Sequence, residues 1–177
     1  TDSTIAGSAQ AGHEKTLKAL IAALSGNNVL YGAGMLECGM VVDFPQLLLD
    51  SDIIDMIKCF LGGVEVSDET LCVDEIKAGG HLAEFLMSPV TLKYMRAQSR
   101  PQFFERMNRT TWINAGKPDP YDLAKEKVKD ILVNHQPTPL SDSVAGDLRR
   151  FVTEVEKEWG VEPTNPDFDP ASLVTDA

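Results

Sequence analysis

A single short run of β-type residues stands in a chain whose other periodic segments predict helices: residues 29–31 read Val-Leu-Tyr. The run leads directly into Gly32, Ala33 and Gly34, and then into Met35. Because glycine lets a ligand or another backbone segment come close, this order predicts a buried parallel strand whose end faces a cavity. One strand cannot pair its own backbone groups. The rest of its sheet is therefore expected outside this chain, the alternative being an all-α protein with an extended connector.

Helices are predicted on both sides of this strand. Ala9–Leu24 carries an apolar stripe, expected to pack inward, of Leu17, Leu20, Ile21 and Leu24. Asp43 is placed to cap a second helix over residues 45–61. Later helices are predicted over residues 67–79, 88–96, 120–134 and 141–159. Helix, strand, glycine-rich loop and helix follow one another in a (β/α) barrel, whose chemistry sits at the carboxyl ends of the strands, so the predicted fold class is α/β.

Composition narrows the classes of partner. The formal net charge of −11 argues against nucleic acid, because phosphate binding needs clustered lysine and arginine. No apolar run approaches a membrane span, and no signal peptide is recognisable. The cysteines are three in number and lack metal-ligand spacing, which favours free thiols in a reducing cytosol. The chain begins at Thr1 without a methionine, and we therefore expect it to be a segment of a longer cytoplasmic protein.

Carboxylates near the glycine-rich loop are the main candidates for chemistry. If residues 1–3 lie at the end of a preceding strand, Asp2 and Glu37 face one cavity, where they could hold a cationic substrate or move protons. A purely structural role for both is equally supported. Tyr31 could offer an aromatic face to an ammonium ligand, although a strand tyrosine is more often part of the core. Asp43 is better explained as a helix cap, and Cys38, which has no activating neighbour in sequence, as a small buried residue.

Several sequence blocks keep a common order and spacing along the chain. They are Asp2-Ser3, Ala9-Gln10-Ala11-Gly12-His13-Glu14-Lys15, Tyr31-Gly32-Ala33-Gly34-Met35-Leu36-Glu37, Gln46-Leu47, Asp52-Ile53-Ile54-Asp55-Met56-Ile57, Val64-Glu65-Val66-Ser67-Asp68-Glu69-Thr70, Gly79-Gly80-His81 and a late helix over residues 122–135. Together these blocks closely resemble the C-terminal third of the trimethylamine methyltransferase family. The resemblance covers about residues 1–150 and is more specific than any single motif, whereas the tail after Trp159 has no counterpart.

The resemblance implies the C-terminal portion of a (β/α)8 TIM barrel, helix-rich and with additional C-terminal helices. Residues 1–100 would supply the last barrel strand or strands with their helices. Residues 101–160 would form a helical extension of the same domain, and residues 161–177 an extended tail. The remaining N-terminal part of the barrel would then be a partner of this segment, which is expected to be inactive alone.

The resemblance also implies transfer of a methyl group from trimethylamine to the Co(I) corrinoid of a cognate carrier protein. No cofactor or metal is expected on this chain itself, since the corrinoid (a cobamide) belongs to that carrier, and a homo-oligomer is expected. Asp2 and Glu37 are the predicted catalytic residues. The predicted substrate-binding residues are Tyr31, Gly32, Gly34 and Met35. The trimethylamine branch of the family carries pyrrolysine, which by this alignment falls at or just before Thr1.

Two alternatives stay open. One is a corrinoid methyltransferase of the glycine betaine type, which acts on a quaternary amine and lacks pyrrolysine, so that the residue before Thr1 would distinguish it. The other belongs to a different class, a non-catalytic helical interaction module. An upstream reading frame encoding the first part of the barrel would eliminate this second alternative.

Overall fold

The computed structural model of the protein describes residues 1–161, which fall into two compact units. The first unit is Thr1–Glu126, and the second begins at Lys127. The predicted division at residue 100 concerned a complete barrel and stays a prediction. The predicted tail, apart from residue 161, lies outside the described residues.

Helix α1 (Ala9–Leu24) has the predicted bounds. Ser8 caps it, because its Oγ accepts a hydrogen bond from the Ala11 N–H at 3.1 Å. The predicted inward stripe is wrong in this chain, since Leu17, Ile21 and Leu24 are all exposed. The side that α1 buries carries Ala11 and Lys15 instead, because the helix packs on α2 through that side.

Among residues 1–161, the strands form one small antiparallel ribbon of β1 (Met35–Leu36) and β2 (Val41–Val42). Met35 lies opposite Val42, and a short 3-10 turn (Glu37–Gly39) joins the strands. The predicted strand at residues 29–31 is wrong for this chain: it pairs with no strand, and Val29 and Tyr31 are 76% and 89% exposed. A strand needs a neighbour for its N–H and C=O groups, and the described part of the chain provides none there. The barrel itself stays a prediction.

Helix α2 (Phe44–Leu61) begins at the predicted cap. The Asp43 carboxylate accepts a hydrogen bond from the Gln46 N–H at 2.6 Å, and Pro45 occupies the first turn, where its missing N–H has no cost. The buried side of α2 repeats with helical spacing and contains Gln46, Leu49, Asp50, Ile53 and Ile57. Three of these five are apolar, so two polar side chains interrupt an otherwise hydrophobic face.

The hydrophobic core of the first unit is built on Leu49 of α2, which packs with Phe103 and Ala124. Asp52 fixes the loop that carries Phe103. Its carboxylate, 4% exposed, accepts hydrogen bonds from the backbone N–H groups of Gln102 at 3.0 Å and Phe103 at 2.7 Å. The buried Asp52 carboxylate thus supplies the hydrogen-bond acceptor for these two backbone N–H groups.

The remaining helices within the described residues are mostly short and polar. They are α3 (Asp68–Leu71), α4 (Val73–Gly79), α5 (Pro89–Tyr94), α6 (Arg109–Asn114), α7 (Pro120–Asn134) and α8 (Asp142–Trp159). The predicted helix over residues 67–79 is interrupted at Cys72, whose φ of 53° is left-handed. In the second unit, α8 keeps an exposed apolar side that includes Leu148, Phe151 and Trp159. Within residues 1–161, every helix is too short or too polar to cross a membrane.

Candidate functional site

A cleft of about 550 Å³ lies between α1, α2 and the glycine-rich loop. Three of the predicted substrate-binding residues line it: Tyr31, Gly32 and Met35. Gly34, the fourth, is a buried residue of the loop and does not line the cleft. The wall opposite the loop comes from α1 and α2, including Lys15, Asp50 and Ile53.

A buried ion pair forms the base of this cleft. Lys15 Nζ lies 2.6 Å from Asp50 Oδ2, and the two side chains are 8% and 4% exposed. The same Nζ donates to the Gly32 carbonyl oxygen at 2.8 Å, while the Gly34 N–H donates to Asp50 Oδ2 at 2.7 Å. Each charge of the pair therefore also holds one end of the Gly32–Ala33–Gly34 turn.

Gln46 extends the same network toward the amino end of the chain. Its Nε2 donates to Asp50 Oδ1 at 2.7 Å, and its Oε1 accepts from the Gly7 N–H at 2.8 Å. Gln46 is 1% exposed. Among the described residues, no buried side-chain nitrogen or oxygen lacks a hydrogen-bond partner. A fully satisfied polar network of this kind is rigid, because any shift leaves a buried group unpaired.

Glycine is required at position 34 for two reasons. Its φ of +76° is left-handed, and a Cβ there would lie 3.0 Å from Leu47 Cβ and 3.2 Å from the Asp43 carbonyl oxygen. The loop thus passes directly over the first turn of α2. This close approach puts the Gly34 N–H within reach of Asp50, one turn farther along the helix.

The predicted catalytic carboxylates lie in two adjacent segments at one end of the cleft. The N–H of Glu37 donates to the Ser3 carbonyl oxygen at 3.0 Å, and the N–H of Cys38 donates to the Thr1 carbonyl oxygen at 2.9 Å. Thr1 and Cys38 line the cleft, whereas Asp2 and Glu37 do not. The structure therefore brings the segments of Asp2 and Glu37 together, and their catalytic role stays a prediction.

The contacts of Asp2 link this end of the cleft to α1. Asp2 Oδ1 accepts a hydrogen bond from Cys38 Sγ at 3.4 Å, and the Asp2 N–H donates to Glu14 Oε2 at 2.6 Å. Hydrogen bonds from Gln10 and from the Asp2 N–H hold the pKa of the Glu14 carboxyl below its usual range. Cys38, predicted to be buried, is exposed, because its turn projects beyond the ribbon.

Backbone strain is concentrated in the same turn. Glu37 and Cys38 both have left-handed conformations, with φ of 49° and 54°. Such conformations cost non-glycine residues on the order of 1–3 kcal/mol each, and they persist only where the surroundings enforce them. Here the two hydrogen bonds to residues 1 and 3 supply that enforcement.

Sequence reasoning missed Lys15, Asp50 and Gln46, which build the floor of the cleft. A signal was present: Gln46 and Asp50 occupy inward positions on a helix that is otherwise strongly apolar, with Leu49 and Ile53 on the same side. Polar residues on an apolar face predict a buried polar contact. Lys15 gave no such signal, because a lysine in the middle of an amphipathic helix ordinarily faces solvent. No cluster of three or more histidine, cysteine, aspartate or glutamate side chains within residues 1–161 is arranged to hold a metal ion.

Comparison with known proteins decides the family. The sequence model described as "Trimethylamine methyltransferase (MTTB)" matches residues 1–160. The chain belongs to the trimethylamine methyltransferase family. The resemblance of the sequence blocks to this family is thereby confirmed, over a slightly longer stretch than about residues 1–150.

Relatives with this name occur in bacteria and archaea. The chain is 44% identical over 153 residues to trimethylamine methyltransferase MttB of Desulfitobacterium hafniense (strain DSM 10664 / DCB-2), covering 86% of this chain and 31% of that protein. It is 42% identical over 150 residues to the protein of the same name from Methanosarcina barkeri (strain Fusaro / DSM 804), covering 85% and 30%. A glycine betaine methyltransferase of Desulfitobacterium hafniense (strain Y51) is 28% identical over 156 residues, covering 87% and 32%. The chain thus spans about three tenths of the length of these relatives.

Proposed function

We propose that this chain is part of a cytoplasmic enzyme that transfers a methyl group from trimethylamine to the Co(I) corrinoid of a cognate carrier protein. The observation that carries the proposal is family membership over residues 1–160, with 44% and 42% identity to proteins named trimethylamine methyltransferase. The geometry agrees with it, because the residues of the best-matching block, Tyr31, Gly32 and Met35, line the cleft between α1, α2 and the glycine-rich loop.

The proposed architecture is the C-terminal portion of a (β/α)8 barrel. Exposed apolar residues on the loop and on α1 support it, among them Val29, Tyr31 and Ile21. In this proposal the partner that covers these exposed apolar side chains is the remainder of the barrel. Residues 29–31 would gain their strand neighbours from it.

The chemistry requires a cationic donor. An amine leaves readily only when its nitrogen is protonated or quaternary, so the site has to tolerate a positive charge. In the proposed transfer the methyl group would pass to the Co(I) corrinoid of the carrier, which would supply the electron pair of the new bond, while the C–N bond would break and leave its electrons on nitrogen as dimethylamine departs. Tyr31 would present an aromatic face to the cation, and Asp2 and Glu37 would add negative potential at the adjacent end of the cleft.

Glycine betaine is the second candidate donor. One observation favours it besides the 28% identity to a glycine betaine methyltransferase: Lys18 is exposed on the wall of the cleft, where its ammonium could pair with the carboxylate of a betaine. Trimethylamine has no carboxylate and gains nothing from this lysine. The two donors therefore respond differently to Lys18→Met.

The experiment uses the complete protein with its reduced carrier. Methyl transfer is followed by the conversion of Co(I) to methyl-cobalt in the corrinoid spectrum, with trimethylamine or glycine betaine as donor. The proposal expects transfer from trimethylamine that Lys18→Met does not slow, because a cationic donor gains no attraction from this lysine. Transfer from glycine betaine alone would establish the second candidate, and transfer from neither would overturn both. Light scattering of the same preparation tests the predicted homo-oligomer.

A further inference from the structure

The described wall of the cleft carries three side chains of charged type, Lys15, Lys18 and Asp50. Two of them, Lys15 and Asp50, are buried and paired at 2.6 Å. Lys18 is exposed and interacts electrostatically with Asp2 and Glu14. The net charge at the base of the cleft therefore depends on one buried ion pair. At the rim, the charge of Lys18 is offset by nearby carboxylates, and water and salt screen these exposed groups.

We propose that the Lys15–Asp50 pair keeps the base of the cleft electrically neutral, so that neither buried charge biases the cleft toward or against a cationic ligand relative to a neutral one of the same shape. The inference rests on the proposed function in that the amine substrate is the cation. At a distance, the two charges of a tight pair largely cancel, so the base is nearly neutral as long as both are present. Because both charges are buried, solvent would only weakly screen the charge that remains after the loss of either one, and this charge would act on a ligand in the cleft.

The hydrogen bonds around the pair make the two possible losses opposite in sign. Without the Lys15 ammonium, the Asp50 carboxylate remains held by Gln46 Nε2 and the Gly34 N–H, and the base becomes negative. Without the Asp50 charge, the Lys15 ammonium keeps the Gly32 carbonyl as acceptor, and the base becomes positive. A pair that only held the loop in shape would instead give changes of the same sign, since both losses release one end of the same turn.

The test measures the ratio of two affinities in the complete protein by titration calorimetry. The probes are tetramethylammonium and neopentyl alcohol, an uncharged molecule of similar shape. Loss of loop geometry weakens both probes, whereas a change of charge acts on the cation only. Without the reduced carrier, no methyl transfer disturbs the measurement.

Lys15→Met is expected to raise the cation-to-neutral ratio about tenfold, and Asp50→Asn to lower it about tenfold, as for one poorly screened charge several ångströms from the ligand. The double variant Lys15→Met/Asp50→Asn should return to within about threefold of the unmodified protein, since it restores a neutral base. Lys18→Met is the matched control: it removes the same charge from an exposed position and should change the ratio far less.

Because an unpaired buried charge can prevent folding, Lys15→Gln provides a milder second variant, with an amide that still donates a hydrogen bond. It too should raise the ratio. Ratios that stay constant in the variants, or that move in the same direction for Lys15 and Asp50, would overturn the inference. So would an unmodified protein that binds neither probe. If the ratios shift as expected while trimethylamine supports no methyl transfer, the proposed function fails and the role of the pair stands.

Discussion

The Lys15 ammonium lies 2.6 Å from the Asp50 carboxylate, Nζ to Oδ2, although 35 residues separate the two in the sequence. The pair joins α1 to α2 and holds both ends of the turn at Gly32 and Gly34. The position of Tyr31, directly before this turn, thereby depends on two side chains in different helices. The cleft and the helix packing are consequences of the same contact.

Breaking the pair should destabilise the protein strongly. Removing one partner of a buried ion pair typically costs about 3–5 kcal/mol, because the other charge is left buried without compensation. We expect that loss for Lys15→Met and for Asp50→Asn, and a clearly smaller one for the double variant, which leaves no charge behind. Urea unfolding of the complete protein measures all three. Additive losses in the double variant would show that the two residues are not coupled.

Gly34→Ala tests the close approach of the loop to α2. Alanine at φ +76° carries a strain of roughly 1–2 kcal/mol, and contacts of 3.0 Å and 3.2 Å add an overlap of about 1–3 kcal/mol. Gly39→Ala is the matched control, with φ +92° and open space around the added Cβ. Thermal unfolding should therefore show a markedly larger loss of stability for Gly34→Ala. Equal losses of stability in the two variants would mean that the cost of Gly34→Ala comes from backbone strain alone, without the overlap with α2.

A titration of tyrosine should reveal the contact between Tyr121 and Asp43. The phenol donates to Asp43 Oδ2 at 3.0 Å, and burial together with this hydrogen bond raises the pKa of Tyr121 to about 12 from 10.0. The folded state thus holds the phenolic proton more tightly than the unfolded state. The resulting stability is fully present below pH 10 and is lost as the pH rises through about 12.

The measurement compares the unmodified protein with Tyr121→Phe. The difference between their free energies of unfolding should shrink as the pH rises from 10 toward about 12. Asp43→Asn keeps a good helix cap but removes the charge, so it should bring the Tyr121 pKa closer to its ordinary value. Tyr31→Phe, at an exposed position, serves as the control. If the difference in free energy of unfolding between the unmodified protein and Tyr121→Phe stays constant with pH, the assignment of the raised pKa to Tyr121 is refuted.

Local signals predicted most of the helices, because their causes lie within a few residues, although α6 (Arg109–Asn114) was not predicted. The bounds of α1 follow from the Ser8 cap and the apolar period, and α2 was predicted to begin one residue late because Pro45 marked its first turn. The interruption at Cys72 was missed, since no glycine or proline announces its left-handed backbone. Local pattern also failed at residues 29–31, because β propensity describes a residue's fit to a sheet and provides no partner strand.

The site could be predicted only in part. Tyr31, Gly32 and Met35 line the cleft, and they were noticed because a glycine-rich loop after a β-type run is visible in the sequence. Their role in binding a substrate stays a prediction. Lys15 was not, since its burial depends on α2, and contacts between distant segments leave no periodic trace. Asp50 belongs to the same pair but was detectable as a carboxylate on an apolar helix face. The family resemblance supplied the reaction, which the spacing of residues does not contain.

The last prediction concerns the carboxylates Asp2 and Glu37. Their segments are joined by the hydrogen bonds of Glu37 and Cys38 to Ser3 and Thr1, at the end of the cleft that Thr1 and Cys38 line. Their expected role is to stabilise the cationic amine and to orient the group that binds it, without attacking the methyl carbon. Preorganised electrostatic groups of this kind contribute about 2–4 kcal/mol to transition-state stabilisation.

Asp2→Asn and Glu37→Gln, each in the complete enzyme, are therefore expected to slow methyl transfer to the reduced carrier by roughly 30- to 1,000-fold, since about 1.4 kcal/mol corresponds to a factor of ten. Both substitutions keep the size of the side chain, and the backbone at position 37 is expected to keep its left-handed conformation, so the fold should persist. Asp55→Asn is the matched control, because Asp55 is a carboxylate on the exposed surface of α2 that pairs with Lys58 at 3.4 Å. If both site variants react as fast as this control with an intact fold, Asp2 and Glu37 are structural residues. The negative potential that the cationic amine requires would then have to come from residues other than these two carboxylates.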